Sequence, residues 1–88
     1  MKVLRKATMK DGTPIQIEDW SENYSFYEYG EHIAAYPTVR GRTIRTELKT
    51  GSTEQAKEIF EKLLGGDTLE QHGFTAKSKG YDVPYLTA

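Results

Sequence analysis

Tyr27, Tyr29, His32, Tyr36, Arg42, Arg45 and Lys49 are the residues of this chain whose types and spacing suit molecular recognition. Successive side chains of a β-strand point to opposite faces, so positions two apart along a strand share one surface. Flat rings beside cations on one surface serve two kinds of binding. Single-stranded nucleic acid stacks its bases on aromatics and pairs its phosphates with Arg and Lys. Protein interfaces anchor on Tyr, with Arg at the rim. A purely structural account competes with both: Tyr has a high strand propensity and pairs well across strands, and the N-terminal hairpin or the C-terminal tail can cover the face. These seven residues are the candidate binding set. A protein partner or a second copy of the chain is the leading expectation, and single-stranded nucleic acid is the alternative.

Two further features could bind. Arg40-Gly41-Arg42, together with Arg45, could grip phosphates or an acidic partner through forked guanidinium bonds, or could be a solvated hairpin tip that resists aggregation. Trp20, the single Trp, sits among acidic residues and reads as a core plug or a lid over one end of the sheet more readily than as a binding anchor. Catalysis has little to stand on. His32 and His72 are the two histidines, and neither stands in a metal-ligand spacing. His32 near Glu31 and Glu47 reads as a satisfied surface histidine. No serine occupies a nucleophile elbow and no glycine pattern fits a phosphate-binding loop. The expectation is a non-enzyme with no metal and no small-molecule cofactor.

The elements that would position these residues are five short strands and one helix, in an α+β arrangement with an antiparallel meander, the helix packed on one face, and an irregular C-terminal tail. A β-hairpin is expected over 1–20, a three-stranded meander over 24–49, the helix over 53–64 and the tail over 67–88, all in one small domain. In the first hairpin a three-residue loop, Lys10-Asp11-Gly12, sets Met9, Ala7 and Val3 on the face of Ile15 and Ile17. A two-residue turn would slip the register by one and invert every side chain. Pro14 cannot donate to a ladder, which suggests that the second strand begins at an edge.

In the meander, a turn at Gly30-Glu31 would pair Tyr29 with His32, Tyr27 with Ala34 and Phe26 with Ala35. A second turn at Arg40-Gly41 would pair Tyr36 with Arg45, Ala35 with Thr46 and Ile33 with Leu48. The two hairpins, placed separately, agree on which residues share a face. The helix starts at the N-cap Ser52 with Gln55 completing a capping box. It carries Ala56, Ile59, Phe60, Leu63 and Leu64 as one apolar stripe and ends at Gly65-Gly66. Beyond it, a helical turn near 67–70 ended by Gly73 and an edge strand over 74–76 are expected.

The strand running into Ser52-Thr53-Glu54-Gln55-Ala56 and then an amphipathic helix is similar to the three-strands-plus-helix arm domains with which recombinases touch DNA. The likeness spans roughly residues 24–65 and rests on a strand order and a helix start, with no diagnostic residue matched. The acidic helix face and a net charge of -1 depart from that pattern, so no family is assigned on it.

With 88 residues and 36% hydrophobic content, the chain has the size of one small domain whose core is a single thin layer. It contains no Cys, which excludes a disulfide scaffold and fits a reducing, cytoplasmic setting. Its basic start lacks the apolar stretch of a secretion signal, and no apolar run approaches the ~20 residues that span a bilayer. Near-neutrality hides local pattern: Lys2, Arg5, Lys6 and Lys10 make the first ten residues basic, and Asp11, Glu18, Asp19 and Glu22 make the next stretch acidic. Taken together, these features predict a small interaction module, of the kind found as accessory proteins of phages or mobile elements. An open sheet edge would also permit self-association.

Overall fold

The computed structural model describes residues 2–20, 31–78 and 81–84, with backbone alone at 77, 78 and 81–84. The strands are β1 (Lys2–Thr8), β2 (Pro14–Asp19), β3 (Glu31–Ala35), β4 (Thr38–Val39), β5 (Arg42–Thr43), β6 (Thr46–Lys49), β7 (Thr75–Ser78) and β8 (Tyr81–Pro84). One helix, α1 (Thr53–Leu64), follows β6, and a 3-10 turn at Glu70–His72 precedes β7. The main sheet is antiparallel in the order β1-β2-β3-β6-β7-β8. The β4–β5 pair is the tip of the hairpin that joins β3 to β6.

The first hairpin adopts the three-residue loop. Met9 N–H donates to the Thr13 carbonyl at 2.8 Å, Gly12 takes a left-handed φ of 95°, and Ala7 lies opposite Ile15. A bulge between Val3 and Arg5 then breaks the register, so Val3 sits across from Glu18 instead of sharing the Ile17 face. Val3 and Leu4 are accordingly exposed. Pro14 opens an internal strand, contrary to the expectation of an edge. It is tolerated because it is the first residue of β2, where its missing donor costs one bond, and its carbonyl still accepts from Tyr36 N–H at 2.9 Å.

The meander is half as expected. The Arg40-Gly41 turn forms, with φ of 52° at Arg40 and 78° at Gly41, a pair of positive values that matches the twist of a two-residue hairpin. Its register runs unbroken from Val39–Arg42 back to Ala35–Thr46 and Ile33–Leu48. The other half is corrected. β3 has β2 on its second side, pairing Ile33 with Ile17, Ala34 with Gln16 and Ala35 with Ile15, so the places assigned to Phe26, Tyr27 and Tyr29 belong to β2. The reason is non-local: Ile15 and Ile17 alternate with Gln16 and Glu18 in the same period as β3, and no turn signal reports that match. Residues 26–29 themselves lie outside the described residues.

Helix α1 is as its sequence indicates. The Ser52 hydroxyl accepts from Gln55 N–H at 3.1 Å, and the Gln55 side chain reaches back to Gly51 N–H, one residue earlier than a capping box requires. Ala56, Phe60 and Leu63 are buried against Ile15, Ile17, Ile33 and Ala35, with Ile59 and Leu64 packed at the margin. Arg5 straps the helix to β1, its guanidinium 4.7 Å from the centre of the Phe60 ring and 2.6 Å from a Glu61 oxygen. Lys10 Nζ caps the helix by donating to the Gly65 carbonyl at 3.0 Å. The chain beyond closes the core with Leu69 and Phe74. Gly73, at φ 78°, ends the 3-10 turn, and the strand expected over 74–76 forms as β7, but it is not an edge: it pairs to β6 on one side and to β8 on the other, so a further segment of the tail takes the outer place. No helix among the described residues is long and apolar enough to cross a membrane.

Candidate functional site

The sheet face turned away from α1 carries Gln16, Glu18, His32, Ala34, Tyr36, Arg45, Glu47 and Lys49, as the pairings of β2, β3 and β6 require. At its centre lies a closed ionic cluster. Arg45 Nη2 donates to Glu18 Oε1 at 2.7 Å, Arg45 Nη1 to Glu18 Oε2 at 3.1 Å, and Arg45 Nε to Glu47 Oε2 at 2.8 Å. Arg45 Nη1 also donates to the Tyr36 hydroxyl, and the guanidinium stands 5.6 Å from the Tyr36 ring centre. Gln16 and Trp20 donate to the two Glu18 oxygens, Trp20 at 3.0 Å. The cluster spans three strands across Ala34, whose cross-strand neighbours Gln16 and Glu47 both belong to it.

Glu18 is fully buried. Burial alone would push its carboxyl up, but the bonds from Arg45, Gln16 and Trp20 and the Arg45 charge outweigh burial and hold it below the usual value. Burial likewise opposes the charge on Arg45, and the two carboxylates overcome it and raise its pKa. With its fork closed on one carboxylate and its Nε on another, the guanidinium has already committed the paired donors with which an arginine grips a phosphate.

These contacts redistribute the candidate set. Arg45 is internal to the fold and does not join Arg42, which is exposed at the β4–β5 tip beside Arg40. His32, expected at the surface, is buried, because β3 is flanked on both sides and the Trp20 ring stands edge-on to it with centres 6.0 Å apart. Trp20 is half-buried and acts as the lid, not as an exposed anchor. Tyr36 is half-buried and tied to Arg45, and Lys49 is exposed opposite His32. Tyr27 and Tyr29 lie outside the described residues. The N-terminal hairpin does not cover this face either: it widens the sheet beside it.

The sequence suggests an open edge without saying which strand supplies it. β1 ends the sheet on the β2 side, with six of its seven residues exposed and the cations Lys2, Arg5 and Lys6 along it. Backbone groups of a strand alternate in direction. The bond from Met9 N–H to Thr13 points Met9 and Ala7 toward β2, while the bond from Tyr36 to Pro14 points Pro14 toward β3. The N–H and C=O groups of Lys6 and Thr8 therefore face the open edge. Beside them lies an open hollow of about 520 Å³ walled by Lys6, Thr8, Pro14, Gln16 and Tyr36. The signal was present in the same three-residue loop that set the hairpin register, since register fixes which amides turn outward.

A second cleft, about 310 Å³, lies between the first turn and the end of α1 and is walled in part by Asp11, Asp67 and Glu70. Asp11 accepts from Thr13 N–H at 2.9 Å, a bond that lowers its pKa, and Asp67 is 3.0 Å from His72 Nε2. These carboxylates serve local turns. Among the described residues no group of three His, Asp or Glu side chains is arranged to hold a metal ion.

No protein-family model matches the chain, and no curated protein or solved structure matches it. The geometry alone defines its class: a small α+β domain with an antiparallel sheet, one helix-covered face and an accessible edge strand.

Proposed function

We propose that this chain is a small non-catalytic interaction domain of the cytoplasm that takes up an extended segment of a partner protein along β1. The observation that carries this reading is the outward-facing backbone of Lys6 and Thr8 on an exposed edge strand. Such an edge pairs with an incoming strand through main-chain hydrogen bonds, while adjacent hollows sort its side chains. Exposed Val3 and Leu4 extend the apolar contact available at the same edge. The absence of Cys fits a reducing compartment.

The edge reading is preferred to single-stranded nucleic acid because Arg45, the central cation of that alternative, is spent on Glu18 and Glu47. The test is selection of binders from a random displayed peptide library, followed by amide hydrogen exchange. Protection of the Lys6 and Thr8 amides by the selected peptides is the expected result. Thr8→Pro should abolish binding while the domain stays folded, since the amide it removes faces outward. Binders that protect other amides, or that bind Thr8→Pro equally well, would overturn the reading. Salt-sensitive binding of labelled single-stranded DNA or RNA, lost in Tyr36→Ala, would install the nucleic-acid alternative.

A further inference from the structure

The edge that accepts a strand also carries information about which strand. A second copy pairing β1 to β1 in antiparallel fashion sets Lys2 opposite Lys6 when Leu4 faces itself, or Arg5 opposite Arg5 when the centre moves by one. Like charges directly opposite on one face are unfavourable. The bulge between Val3 and Arg5 further spoils the first half of the strand as a flat template. The regular part of the edge, from Arg5 to Thr8, borders the hollow, and the charged group on the hollow's wall is the Lys6 ammonium. Across the hollow stands the Tyr36 side chain, whose hydroxyl is held by Arg45.

Resting on the edge reading, we propose that the strand taken up by β1 is acidic, with a Glu or Asp side chain seated in the hollow against Lys6. The charge of β1 selects such a strand twice over. Lys2 and Lys6 attract carboxylates on the incoming segment, and the cations of β1 disfavour the registers of a second β1 that set Lys2 on Lys6 or Arg5 on Arg5. The same arrangement explains why a basic edge strand sits in a chain of net charge -1.

The experiment compares three labelled peptides of one length by fluorescence anisotropy: alternating Glu and Val, alternating Gln and Val, and alternating Lys and Val. Each is titrated at low and at physiological salt, with amide exchange read at saturation. The Glu peptide should bind about fivefold or more tightly than the Gln peptide, and the Lys peptide should bind most weakly. That preference should shrink with salt and should vanish in Lys6→Gln. Equal binding of the Glu and Gln peptides, with Lys6 and Thr8 amides protected by both, would overturn acid selection and leave the edge reading standing. Failure of every peptide to protect those amides would overturn the edge reading, and acid selection with it. A Glu preference that survives in Lys6→Gln would place selection elsewhere and also overturn the proposal.

Discussion

Glu18 and Arg45 show how a charge pair behaves when a buried carboxylate has both oxygens occupied. Removing the carboxylate strands a partly buried guanidinium, so Glu18→Gln should destabilise the domain by about 2–3 kcal/mol. That lies below the ~3–5 kcal/mol of a wholly buried pair because 28% of the Arg45 side chain remains exposed. Urea unfolding at neutral pH measures it. The same pair sets an acid limit. Glu18 ionises in the folded state below its ordinary value of 4.5, so on acidification the unfolded chain takes up the proton first. The stability due to Glu18 is therefore complete above about pH 4.5 and is lost as pH falls through its folded value. A urea midpoint that declines below that pH in the native chain, and declines less in Glu18→Gln, is the expected outcome.

Among the elements, α1 and the β3–β6 hairpin could be read directly, for a reason that applies to both. Their signals are local: a cap three residues from the N–H that donates to it, an apolar stripe at helical spacing, a Gly beside Arg40 where two positive φ values are needed. Ser52→Ala should cost about 1 kcal/mol, read as a lower thermal midpoint with the helix otherwise intact, because it removes the acceptor for Gln55 N–H. The hairpin assigned to Gly30-Glu31 failed for the opposite reason. A turn motif proposes a neighbour, but β2 competes for the same side of β3 and wins with two isoleucines in register against Ile33 and Ala35.

Among the described residues the main sheet has a helix on one side, and the charge at its β1 edge makes a prediction about association. Lys2, Arg5 and Lys6 should keep β1 from pairing with itself, so light scattering after gel filtration should give the monomer mass at high concentration. Double charge reversal, Lys2→Glu with Lys6→Glu, removes no backbone donor but still opposes like charges, and it should remain monomeric. An equimolar mixture of that variant with the native chain should associate, because Lys2 of one copy then meets Glu at position 6 of the other. Failure of the mixture to associate would mean that the bulge, and not charge, keeps the edge from self-pairing.

Local spacing along the chain was enough to specify the helix with its cap and stripe, the three-residue loop, the Arg40-Gly41 hairpin and the apolar set that makes the core. It also placed Tyr36, Arg45 and Lys49 on a common face. Each of these depends on interactions within a few residues, or on a side-chain period that covalent geometry imposes. Which strands become neighbours is different in kind, because it depends on distant segments competing for one edge. That competition put β2 beside β3, brought Glu18 to Arg45 across Ala34, buried His32 under Trp20, and converted an apparent binding cation into part of the frame. It also left β1 outermost, at the edge where recognition is proposed.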